Sequence, residues 1–159
     1  VMTTRFLVLA VLLLSACEPA APPEPATVVV GGDRPANLVI PGGIADGESV
    51  PLIVTMHGYT GNASQIDSYF GMSEQVQERG FALLLPNGLV DDEGDTFWEA
   101  TDWCCGFNEP DEVDDVAYLS ALVEEARQHV DVSTVIAFGH SNGGFMAYRL
   151  ACEEAAGVS

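Results

Sequence analysis

The chain has 159 residues, 48% of them apolar, enough to build the core of one small domain. Five Lys and Arg against 24 Asp and Glu give a formal charge of −19, which repels phosphate backbones and argues against nucleic acid as a partner. The same charge repels a bare anionic membrane, so membrane attachment would have to be covalent; otherwise it describes a solvated surface and says little about substrate.

Residues 1–17 read as an export signal. Arg5 supplies a basic start, and the apolar run 6–14 is too short to span a bilayer. The order Leu14-Ser15-Ala16-Cys17 resembles the bacterial lipobox. That resemblance implies a diacylated Cys17 as the mature N-terminus and a cell-envelope lipoprotein facing the periplasm or the exterior. A cleaved signal releasing a secreted protein, with Cys17 incidental, is the alternative. Residues 18–26 carry Pro19, Pro22, Pro23 and Pro25 and read as an extended tether, leaving 27–159 as the folding part.

Within that part, residues 27–31 and 37–41 read as short strands around a Gly31-Gly32-Asp33 turn. Residues 51–56, with Leu52-Ile53-Val54 at their centre, form a buried strand running into His57-Gly58-Tyr59-Thr60-Gly61-Asn62. A helix follows, with Ile66, Tyr69, Phe70, Ser73 and Val76 on one face, Ser64 as N-cap and Gly80 as stop. Residues 81–85 are a second buried strand, ended by Pro86-Asn87-Gly88. The stretch that follows has no clear period; its acidic run 91–95 lacks the spacing of a calcium loop and reads as solvated. Trp98 and Trp103 either line a cleft or pack this loop. Asp114 and Asp115 open a helix whose buried stripe is Val116, Leu119, Leu122, Val123, Ala126 and Val130. Residues 134–138 are a third buried strand, and a helix after the 139–143 turn runs to near Ala156. Continuous apolar strands alternating with amphipathic helices predict an α/β fold: a mostly parallel sheet covered by helices on both faces.

Gly139-His140-Ser141-Asn142-Gly143 is a G-x-S-x-G pentapeptide between a buried strand and a helix, the context in which such a turn projects its serine above the sheet. Ser141 is the candidate nucleophile. An anionic intermediate needs donors, and the backbone N–H groups of Asn142 and Tyr59 are the candidates, Gly58 permitting close backbone approach. In α/β-hydrolases the acid and the histidine follow the serine, and no histidine follows Ser141. His57 belongs to the oxyanion loop, His129 to the last turn of a helix, and His140 should point away from its neighbour Ser141. The α/β-hydrolase domain is therefore expected to be truncated after the nucleophile helix. Its sheet edge would then stand open, and its Asp and His would lie beyond residue 159.

Cys104 and Cys105 are adjacent, and bonding neighbours is geometrically awkward. A bridge from one of them to Cys152 is the expected pairing, and zinc is the weaker reading for want of a ligand set.

Several ordered segments resemble the esterase family of polyhydroxybutyrate depolymerases, feruloyl esterases and LpqC-type lipoproteins. They are the 57–62 run, Leu85-Pro86-Asn87-Gly88, Trp103-Cys104-Cys105-Gly106, Val113-Asp114-Asp115-Val116 and the 139–150 run. The resemblance implies a Ser-His-Asp esterase without cofactor or metal, working outside the cytoplasm through an acyl-enzyme. The implied substrate is an ester, polymeric in the case of a polyhydroxyalkanoate or a feruloylated polysaccharide. A serine peptidase of the same fold and a non-catalytic surface-binding lipoprotein are the competing readings.

Overall fold

The structure, a computed structural model, describes residues 23–102, 104–105 and 114–158. Cys17 and the expected signal, residues 18–22 of the expected tether, Trp103, Gly106 and Val113 lie outside the described residues. No helix among the described residues is long and apolar enough to cross a membrane.

The first strands in chain order are β1 (Ala26–Val30), β2 (Ala36–Ile40), β3 (Val50–Met56) and β4 (Ala82–Leu85). Two short strands, β5 (Leu89–Val90) and β6 (Thr96–Phe97), pair as a separate hairpin, and β7 (Val132–Gly139) follows. The main sheet has the order β1-β2-β4-β3-β7. β3 lies parallel to both β4 and β7, while β2 runs antiparallel to β4 and to β1. The centre of the sheet is thus parallel, and a hairpin closes one margin.

The apolar strands are continuous because both faces are covered. Leu38, Leu52, Val54 and Leu84 point into one core with Leu119, Leu122 and Val123 of α3 (Asp115–Ala126) and Met146 and Leu150 of α4 (Asn142–Cys152). Their alternating neighbours Val39, Leu83 and Leu85 point the other way. There they meet Ala63 of α1 (Ala63–Phe70) and Val76 of α2 (Met72–Arg79). The expected stripe of α3 is the buried one.

Other elements differ from expectation. The helix read over residues 64–80 is two helices, broken where Gly71 takes φ +61 and its N–H returns to the Asp67 carbonyl at 2.7 Å. The Asp67 carboxylate then accepts the Ser73 N–H at 2.8 Å and starts the second helix. The N-cap of α1 is Asn62, whose side chain accepts the Gln65 N–H, and not Ser64. The kink leaves Tyr69 and Phe70 exposed instead of facing the core. His129 lies past the end of α3, which is capped at Arg127. The last helix stops at Cys152, and a 3-10 turn (Ala155–Gly157) leads to Val158. Val158 makes a parallel bridge to Val135 on the outer edge of β7, beside exposed Ile136.

Candidate active site

The carboxyl ends of β3 and β7 lie side by side, with Met56 paired to Gly139, so the two loops that leave them meet. Beyond β7 the chain turns abruptly into α4. Ser141 takes φ +52 and ψ −116, a conformation that suits glycine and strains any residue with a side chain. The turn closes through the Gly143 N–H to the His140 carbonyl at 3.0 Å. It is possible only because two glycines let backbone touch backbone. A Cβ on Gly139 would lie 2.2 Å from the Gly143 carbonyl oxygen, and one on Gly143 would lie 2.3 Å from the Met56 carbonyl oxygen. Ser141 is exposed at the top of this turn, at the amino end of α4.

The loop after β3 comes up against it. A Cβ on Gly58 would stand 3.4 Å from the Ser141 Cβ, so only the width of a methyl group separates this loop from the serine. Asn142 is the first residue of α4, where backbone N–H groups have no partner within the helix. A cavity of about 270 Å³ opens along this loop, lined by Gly58, Tyr59, Asn62, Ile66, Tyr69 and His140 among others. Among the described residues no Lys or Arg lines it.

His57 is committed to holding the loop. Its Nδ1 lies 2.8 Å from the Gly58 carbonyl, and its Nε2 accepts the Gly88 N–H at 2.9 Å, which places the ring proton on Nδ1. Burial pushes its pKa down, with the Gly58 hydrogen bond opposing, so the ring is neutral at pH 7. His140 is exposed at the cavity wall, 6.2 Å from the Tyr69 ring, and no hydrogen bond joins it to Ser141 among the described residues.

Trp98 is fully buried, which resolves its two readings in favour of packing. Its indole N–H donates to the His57 carbonyl at 3.0 Å, and the two rings lie 5.1 Å apart. Asn142, read from sequence only as a backbone donor, also uses its side chain. Its Oδ1 accepts the Trp98 N–H at 2.7 Å and its Nδ2 donates to the Trp98 carbonyl at 3.0 Å, both buried. One residue therefore clamps the long loop to the helix that carries the serine.

Asp115 was expected only to favour the helix dipole, a task that falls to Asp114, which caps α3 through the Ala117 N–H. Asp115 is fully buried; it pairs with Arg34 at 2.6 Å and accepts the Glu99 N–H at 2.7 Å. Arg34 donates onward to the Asn87 carbonyl and stacks 3.7 Å from the Tyr118 ring centroid. Asn87 in turn accepts the Ala63 N–H at 2.8 Å. The motif-like segments around residues 57, 87, 115 and 142 are thus parts of one hydrogen-bonded scaffold beneath the site.

Glu99 lies in this scaffold with its Oε2 buried and without a hydrogen-bond partner among the described residues. Burial raises its pKa above the ordinary 4.5, opposed by Arg149 and reinforced by Asp115 and Asp102. The folded protein therefore holds the proton more tightly than the unfolded chain. Stability from this group is complete below pH 4.5 and is lost as pH rises through the folded value. Glu99→Gln, which mimics the protonated acid, is expected to raise Tm at pH 8. Melting curves of both proteins should converge near pH 4; equal Tm values at both pH values would contradict the assignment.

The cysteines depart from expectation. The structure joins Cys104 to Cys105, and Cys152 is free and exposed. The bridge between neighbours is accommodated because Cys105 takes a positive φ of +63 in the turn that Thr101 and Cys104 close. Cys152 instead lines an open cleft with Ala100, Thr101, Phe145 and Tyr148. Among the described residues no cluster of His, Cys, Asp and Glu has the makings of a metal site.

No family model matches the chain. The provisionally named esterase NocK of Nocardia uniformis subsp. tsuyamanensis is 35% identical over 129 residues, which cover 79% of this chain and 36% of NocK. The chain thus spans about a third of that relative's length. Among solved structures, the Bacillus cereus carboxylesterase superposes with a TM-score of 0.51 at 17% identity, over 75% of this chain and 53% of that one. Poly(aspartic acid) hydrolase-1 from Sphingomonas sp. KT-1 gives 0.53 at 18% identity, over 82% and 51%. The chain has the α/β-hydrolase fold.

Proposed function

We propose that the protein is an exported carboxylic ester hydrolase, anchored through a lipid on Cys17, in which Ser141 attacks the ester carbonyl. The observation that carries this reading is the strained Ser141, φ +52, held exposed at a helix start a methyl's width from Gly58. The backbone N–H groups of Asn142 and Tyr59 receive the oxyanion, and an acyl-enzyme forms and is hydrolysed. In this reading His57, engaged in holding its loop, is not the general base, and the α/β-hydrolase order puts the base and its acid partner after the nucleophile. The likeness to NocK and to a carboxylesterase supports an ester as substrate. Among the described residues no Lys or Arg lines the cavity, which favours a neutral ester over an anionic one. A polyhydroxyalkanoate or a feruloylated polysaccharide fits that description.

The test uses the full-length protein with a fluorophosphonate probe, followed by peptide mass mapping, and with p-nitrophenyl and feruloyl esters. Labelling at Ser141 with ester turnover is the expected result. Labelling with turnover of peptides but not of esters would move the assignment to a serine peptidase. An unlabelled serine in a folded protein would leave a non-catalytic binding role.

A further inference from the structure

The acidic run 91–95, which as a sequence reads as solvated loop, is the turn of the β5–β6 hairpin, and this hairpin grips the loop beside Ser141 at three successive residues. The Tyr59 hydroxyl donates to the Asp91 carboxylate at 3.0 Å. The Thr60 N–H donates to the Thr96 carbonyl at 2.8 Å, and the Thr96 hydroxyl donates to the Gly61 carbonyl. Asp91 is itself fixed. Its other carboxylate oxygen accepts the Glu93 N–H at 3.0 Å and the Asp95 N–H at 2.8 Å, and its own N–H reaches the Asp95 carbonyl at 2.9 Å. The amide bonds and the Tyr59 hydroxyl lower the Asp91 pKa from its ordinary value, the Asp95 amide contributing most, so it stays an acceptor. Partial burial and the Asp91 neighbour push the Tyr59 phenol up to about 12, so it stays a donor.

The grip answers a need of the loop. Thr60 takes φ +64, costly for a β-branched residue, and persists only if its surroundings impose it. We propose that Asp91 is a positioning residue: by anchoring the Tyr59 phenol to a rigid hairpin turn, it fixes the main chain of residues 58–60 at the distance from Ser141 that an oxyanion donor requires. This rests on the esterase reading for its catalytic consequence, but the anchoring stands apart from it. An oxyanion donor acts through placement, and losing one such donor costs about 10²–10³ in rate. Loosening it without removing it should cost less, about tenfold, and in kcat more than in KM.

The experiment uses the full-length protein with Tyr59→Phe, Asp91→Ala, the double variant and Asp91→Asn. Each of the first two is expected to lower kcat for p-nitrophenyl butyrate about tenfold with KM within about twofold. The double variant should lose no more than the worse single, because both break one bond. Asp91→Asn keeps a hydrogen-bond partner for the phenol and should recover most of the rate. Losses that multiply, or a kcat within twofold of the parent in both singles, would overturn the proposal. Amide hydrogen exchange supplies a readout that needs no turnover. Residues 58–61 should exchange faster in Tyr59→Phe and Asp91→Ala while β7 does not change, and unaltered exchange at 58–61 would overturn the anchoring even if no ester proves to be a substrate.

Discussion

Ser141→Ala in the full-length protein is expected to lower ester hydrolysis by at least about 10⁴-fold, leaving the residual rate that an oxyanion pocket alone supports. The loss should fall on kcat, since the serine contributes little to ground-state binding. Ser141→Gly separates chemistry from architecture. The pair φ +52, ψ −116 is one that glycine adopts freely and that costs other residues of order 1–3 kcal/mol. Glycine there should abolish activity as completely as alanine and yet unfold at higher denaturant concentration, by about 1 kcal/mol or more. A Ser141→Gly protein that is inactive but no more stable than Ser141→Ala would show the turn to be unstrained. Retained turnover in either variant would place the nucleophile elsewhere.

Gly143→Ala is expected to be strongly destabilising. The added carbon would lie 2.3 Å from the Met56 carbonyl oxygen and 2.5 Å from that of His57, both main-chain atoms at the end of a central strand. Neither yields as a flexible side chain would, so the cost is set by moving α4 off the sheet, at about 3 kcal/mol or more. The next residue provides the control. A Cβ on Gly144 meets nothing nearer than the Gly139 carbonyl oxygen at 3.4 Å, an ordinary contact. Gly144→Ala should be neutral, or stabilising by up to about 1 kcal/mol through helix propensity. Urea unfolding of the two variants decides it, and a Gly143→Ala protein as stable as its neighbour would mean that the turn packs differently.

What could be read in advance follows from how locally each feature is encoded. The strands β3, β4 and β7 announce themselves because burial on both faces demands an unbroken apolar run, and the serine turn because its glycines lie within five consecutive residues. The break at Gly71 was hidden, since the apolar spacing of α1 and α2 continues across it and only the left-handed glycine parts them. The hairpin of β5 and β6 escaped notice for a different reason. Two residues per strand leave no alternation to detect, and its order comes from Asp91 and Thr96, whose partners are distant or main-chain. Asp115 looked like one more helix-start carboxylate because its partner, Arg34, is 81 positions away. Trp98 and Cys104 were ambiguous on the same ground: what a side chain touches across the fold leaves no periodic trace.

The double engagement of Asn142 narrows the routes by which this site can change. Asn142 follows the serine directly while its carboxamide grips both main-chain polar groups of Trp98. A substitution selected for altered reactivity at that position would, in the same step, release the tryptophan that props His57. Divergence toward new substrates is thereby channelled away from the residue next to the serine and toward Tyr69, exposed on the cavity wall.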